Sequence, residues 1–151
     1  MKMFLRFLTV FICCLVLIPV LFYSTISIAN NCIANNIEDK LISLDLPKST
    51  VLSDSVSIAE KIFGNGNGMQ YFGAILITSD LSENELKEYY KQFGEDYFVE
   101  KKEDNFVISE KYDHTFSNFP ADKNNYMVWC IEYNSHENIL YELLDMDFRG
   151  K

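Results

Sequence analysis

Two histidines are the natural starting point for any acid–base or metal chemistry in this chain: His114, beside Asp113, and His136, beside Glu137. Neighbours on an extended segment send their side chains to opposite sides, so neither pair is a prepared ligand set. If the loops over residues 113–125 and 134–138 met at one end of a sheet, both imidazoles would share a divalent ion with Asp113 or Glu137, as a metal-assisted hydrolase requires. Otherwise each is a surface-loop histidine. Nucleophile chemistry has less support, because the sequence holds no G-x-S-x-G elbow and no histidine or basic residue spaced to activate the thiol of Cys130. Alternation in an apolar stretch sends one of Trp129 and Cys130 to the core and the other to the opposite sheet face.

Cys13 and Cys14 lie inside a hydrophobic segment, which leaves Cys32 and Cys130 as the pair able to form one disulfide, between the segment that follows and a late strand. No framework spacing supports that bridge. Nor do two cysteines and two scattered histidines show the paired short spacings of a structural zinc site. Residues 64–68, Gly-Asn-Gly-Asn-Gly, contain two Asn-Gly pairs that favour the positive φ angles of a hairpin turn. The competing role, an anion nest of backbone amides, lacks the Lys-Ser or Lys-Thr of a P-loop and leads into a strand instead of a helix. No residue is therefore assigned a catalytic, cofactor-binding or metal-binding role, and no cofactor is expected.

The elements that would carry these residues begin with an uncharged run. Residues 7–29 contain no Asp, Glu, Lys, Arg or His, and as a helix they extend roughly 35 Å, enough to cross a bilayer. Pro19 does not veto the span, since membrane helices tolerate proline. Lys2 and Arg6 precede the run, while the first charges after it are Glu38 and Asp39. The positive-inside bias then predicts a cytoplasmic N-terminus and an exported remainder. The competing expectation is a signal peptide cleaved after Ser27-Ile28-Ala29, with secretion of the remainder, but the run is long for a signal core of about 7 to 15 residues. Cys32 follows two asparagines, unlike a lipid-attachment site. A buried core helix is seldom apolar on all faces for this length.

Charge separates the two parts. Beyond Ala29 stand 22 acidic residues against 11 basic ones, a net charge of −11. Such a surface repels nucleic acid and anionic lipid headgroups, so neither is expected as a partner of this part. It also keeps the domain soluble. Residues 30–36, NNCIANN, read as a polar tether, and residues 37–151 as one domain of ordinary size.

Within that domain, residues 40–46 alternate as a half-buried strand ended by Pro47. In residues 51–62, Leu52, Val56, Ile58 and Ile62 share one parity and Ser53, Ser55 and Ser57 the other, giving a second strand with a solvated serine face. Residues 71–78, YFGAILIT, are apolar on both parities, which marks a central strand covered on both sides. A helix over residues 82–93 follows. Ser82 and Glu85 form a capping box, Leu81 and Leu86 a hydrophobic staple, and Leu86, Tyr89, Tyr90 and Phe93 one apolar stripe, with Gly94 beyond. Further strands are expected over residues 97–101, 106–112, 126–133 and 139–148, although ILYELLDM in the last also fits a short helix. The predicted fold class is α+β: a transmembrane helix, then an antiparallel, mostly meander sheet with one amphipathic helix on one face.

The stretch GNGNGMQYFGAILITSDLSENELKEYY over residues 64–90, preceded by Leu46-Pro47, resembles a set of small uncharacterised proteins from low-GC Gram-positive bacteria. That resemblance implies one N-terminal hydrophobic segment and a compact exported domain, and it transfers no site residue. The expected function is a non-catalytic extracytoplasmic module that binds a protein, peptide or envelope ligand. Two other functions compete with it: the hydrolase built on His114 and His136, and an immunity or inhibitor protein for a cationic toxin.

Overall fold

The computed structural model describes residues 2–62, 68–108, 113–121, 123–134 and 139–147. Its first element is one unbroken helix, α1 (Lys2–Ile42), of 41 residues, which passes through Pro19. Up to Phe22 and Tyr23 its described large apolar side chains are exposed, and this part is long and apolar enough to cross a membrane. From Ile26 onward the helix changes role. Ile26, Asn30, Ala34, Ile37 and Leu41 recur every three or four residues and are all buried, and from Asn30 onward the stripe lies on the sheet.

That arrangement corrects two sequence expectations. Residues 30–36 are helical and packed, not a tether, and residues 40–46 finish a helix instead of forming a strand. The asparagines conceal a helical period. Asn30 is fully buried through its own hydrogen bonds, while Asn31, Asn35 and Asn36 take the exposed side of the same turns.

Four strands follow, β1 (Thr50–Glu60), β2 (Gln70–Ser79), β3 (Phe98–Lys102) and β4 (Asn125–Tyr133), in the antiparallel order β1-β2-β4-β3. The sheet is not a meander. β4 is inserted between β2 and β3, so the chain leaves the centre, crosses through α2 (Glu83–Lys91), and forms an edge before returning. β2 is central, and every residue from Gln70 to Ile77 is buried, as apolarity on both parities requires. Glu60 pairs with Gln70 across the β1–β2 hairpin, whose turn over residues 63–67 lies outside the described residues.

One face of the sheet is covered by α1 and α2, where Leu41, Leu86 and Tyr90 meet Ile75, Ile77, Val99, Tyr126 and Val128. The opposite face is covered by the long β3–β4 connection, with Val107 and Phe116 on Ile58, Phe72, Leu76 and Met127. Trp129 and Cys130 divide between the two faces as alternation predicts. A bulge between Leu52 and Asp54 reverses parity within β1, so Leu52 packs toward the helices while Val56 and Ile58 point away. The serine face is consequently not open to water along its length. Ser55 donates to Glu38 Oε1 at 2.5 Å and Ser57 to Asn35 Oδ1 at 2.6 Å, both on α1.

Gly73 lies where α1 crosses β2. A Cβ there would stand 2.7 Å from Ile37 Cγ2 and 2.9 Å from the Glu38 amide nitrogen, so close helix–sheet contact depends on a missing side chain. α2 has the expected capping box: Ser82 Oγ accepts from the Glu85 amide, and Glu85 Oε2 accepts from the Ser82 amide at 2.8 Å. The segment over residues 106–112, expected as a strand, shows only the bridge between Phe106 and Thr115, and residues 109–112 lie outside the described residues. Residues 139–148, also expected as a strand, instead contain a short helix, α3 (Ile139–Leu144), beside α1. With β4 already flanked by β2 and β3, no sheet position adjoins it for a strand emerging from its end.

Candidate functional site

Among the described residues, the buried polar groups Asn30, Gln70, Asn134 and Asp147 lie where α1 enters the domain. Asn30 Nδ2 donates to the Leu144 carbonyl at 3.0 Å and to Asp147 Oδ2 at 2.9 Å, and Asn30 Oδ1 accepts from the Tyr71 hydroxyl at 2.9 Å. One turn earlier, Ser27 Oγ donates to Asp147 Oδ1 at 3.3 Å. Helix, central strand and C-terminal segment are thereby tied at one point. A second set of bonds adjoins it: the Met69 amide and Asn134 Nδ2 both donate to Asp145 Oδ1 at 2.6 Å, and the Asn134 amide donates to the Met69 carbonyl. Buried polar atoms in such a network are expensive to leave unmatched, so the geometry is specific.

At the opposite end of β2 lies an open polar groove. From Tyr71 to Ser79 the strand advances eight residues, about 27 Å at the usual strand rise. Ser49, Thr78, Ser79, Asp80, Lys123 and Asn124 line the groove with hydroxyl, carboxylate, ammonium and amide groups. It is held by the Ser79 amide donating to the Asn124 carbonyl at 3.1 Å and by the Asp80 amide donating to the Ser49 carbonyl at 3.3 Å, with Ser49 in the left-handed region at φ 59°. Its chemistry is hydrogen bonding to a polar ligand. Aligned nucleophile and base are not part of its lining.

The residues singled out by sequence are distributed elsewhere. His114 Nε2 lies 3.3 Å from Glu60 Oε2, so its neighbour is the end of β1 rather than the carboxylate of the exposed Asp113. His136 and Glu137 lie outside the described residues, as do Gly64, Gly66 and their asparagines. Among the described residues no group of three or more His, Cys, Asp or Glu side chains is placed to hold a metal ion. Cys32 is exposed and Cys130 buried, and both are free thiols here. Burial, reinforced by Glu132, pushes the Cys130 thiol above its ordinary value, the wrong direction for a nucleophile. Tyr90 is likewise shifted upward by burial. It packs as core, and Tyr89 beside it donates to the Asp45 carbonyl at 2.9 Å.

Sequence reasoning missed Asn30, Tyr71 and Asp147. One signal was present: Asn30 continues the i, i+4 series through Ile26 and Ala34, which a tether would not need to keep. In comparisons with protein-family models, curated proteins and solved structures, nothing matches this chain.

Proposed function

We propose that the chain is a single-pass membrane protein that keeps residues 7–29 as its anchor and holds a non-catalytic, acidic binding domain on the outer side. The observation that carries this reading is the continuity of α1 from exposed apolar surface into the domain core. A cut after Ala29 would fall inside the helix, beside a fully buried side chain, and would create a charged α-amino group on Asn30. Processing after Ala29 therefore opposes the fold. Retention leaves Ile26 and Ser27 in place.

The polar groove then points away from the membrane and suits a protein, peptide or envelope ligand with matching hydrogen-bonding groups. Net charge of −11 beyond Ala29 adds a preference for cationic groups in that ligand. N-terminal sequencing of protein recovered from membranes is expected to find residues that precede Ala29, and a chain starting at Asn30 would sink the anchor. Protease added to intact cells should remove the domain, whereas protection until lysis overturns the orientation. For the groove, Asp80→Lys should abolish capture of a cationic ligand that the unsubstituted chain retains, and equal capture by both moves the binding surface elsewhere.

A further inference from the structure

The clamp around Asn30 fixes not only the helix but the height of everything bonded to it. We propose that the clamped end of the domain is itself a lipid-facing surface, with Ile28, Tyr133 and Met146 seated in the headgroup layer of a zwitterionic phospholipid bilayer. This rests on the retained-anchor reading above, and adds that the domain sits on the membrane and not above it.

The heights follow from helix geometry. Residues 7–29 extend roughly 35 Å against a hydrocarbon core of about 30 Å, so Asn30 stands at the boundary where the headgroup layer, about 5 to 7 Å thick, begins. Asp147 is 2.9 Å from Asn30, and Met146 precedes it in the chain. Asn134 is 2.6 Å from Asp145, and Tyr133 precedes that asparagine. Both residues are thus chain neighbours of side chains bonded in or beside the clamp, and with Ile28 they are open: Tyr133 is 63 % exposed, Met146 48 % and Ile28 62 %. Away from a membrane this is apolar surface turned to water. In the headgroup layer the tyrosine buries its ring and keeps its hydroxyl wet, and the methionine and isoleucine reach the top of the acyl chains. Exposed Glu132 and Glu142 at the same end repel anionic headgroups, which selects a zwitterionic surface.

Quenching by brominated lipid tests the seating in the full chain, reconstituted into phosphatidylcholine vesicles brominated near the acyl carbonyl or near the chain end. Trp129 is the sole tryptophan and lies four residues along β4 from Tyr133, about 13 Å, so the unsubstituted protein supplies an unquenched reference. Val16→Trp marks the span, and Met146→Trp and Tyr133→Trp, both at exposed positions, mark the proposed contact. Lipid brominated near the carbonyl should remove most of the emission added at positions 146 and 133, and lipid brominated at the chain end most of that added at position 16. Quenching at position 16 alone overturns the seating and leaves the span intact. If the emission at position 146 then shifts to the blue with rising protein-to-lipid ratio, a second copy covers this end instead. Loss of quenching at all three positions removes the span, and the seating with it.

Discussion

Residues 2–25 and 26–42 belong to one helix, yet the first part turns apolar side chains outward on every side while the second buries a single stripe. Phe7, Val16 and Ile18 are more than half exposed, whereas Ala34, Ile37 and Leu41 are almost fully covered by the sheet. The backbone is the same in both. What differs is how oily residues are distributed: uniform apolarity selects a hydrocarbon surrounding, and apolarity every three or four residues selects one protein face. A polar asparagine, Asn30, sits one turn past the change.

Substitutions in the two parts should therefore fail in different ways. The largest effect is expected from Leu41→Ala, which empties a fully buried site between α1 and the sheet and should cost about 2–5 kcal/mol in denaturant unfolding of the micelle-solubilised protein. Loss below about 1 kcal/mol would mean that the second half of α1 is not core. Val16→Lys reverses the pattern. It places a charge near the middle of the span, should disfavour insertion by about 2.5–3.5 kcal/mol in a membrane-integration assay, and should leave domain unfolding unchanged. A large change in domain stability would break the division. At the junction, Asn30→Ala removes both donors to Leu144 and Asp147 and the acceptor for Tyr71, for an expected loss of about 1–3 kcal/mol. Its signature is amide exchange accelerated around residues 144–147 and 27–33, with the α2 region unaffected.

α2 supplies the contrast, a helix whose start is fixed locally. Ser82→Ala should cost about 1 kcal/mol, with no effect on α1. Hydrogen bonds from the Ser82 side chain and backbone hold the Glu85 carboxyl below its usual 4.5. Because the folded value is depressed, the box contributes fully above pH 4.5 and its contribution is lost as pH falls through the lowered value. In Ser82→Ala the Glu85 titration, followed by NMR, should return toward 4.5. No upward movement would show that the box does not set it.

How much of this was legible follows from the range of the interactions. Ser82, Glu85 and Leu86 are close in sequence, so α2 could be read with its cap, and the unbroken apolarity of β2 announced a strand covered on both sides. The membrane-length run was equally plain in composition. By contrast, the bulge after Leu52 depends on how β1 meets β2, and nothing in the alternation of β1 reveals the reversal. Insertion of β4 between β2 and β3 is decided by long-range pairing, such as Trp129 with both Ala74 and Phe98, which a meander drawn from strand sequence cannot anticipate. Residues 30–36 were misread because composition outweighed period. The clamp was missed for the same reason, and it needs Tyr71 and Asp147, 41 and 117 residues away from Asn30.

The absence of a flexible hinge between span and core in α1 has a mechanical consequence. A hydrophobic stretch longer than its bilayer tilts, typically by about 20°, and carried through the 12 residues from Asn30 to Ile42 that tilt displaces the far end sideways by about 6 Å. In the anchored protein proposed above, the acidic domain would share that tilt. Its groove would then lean with the span as the lipid thins, with the unbroken helix acting as a lever.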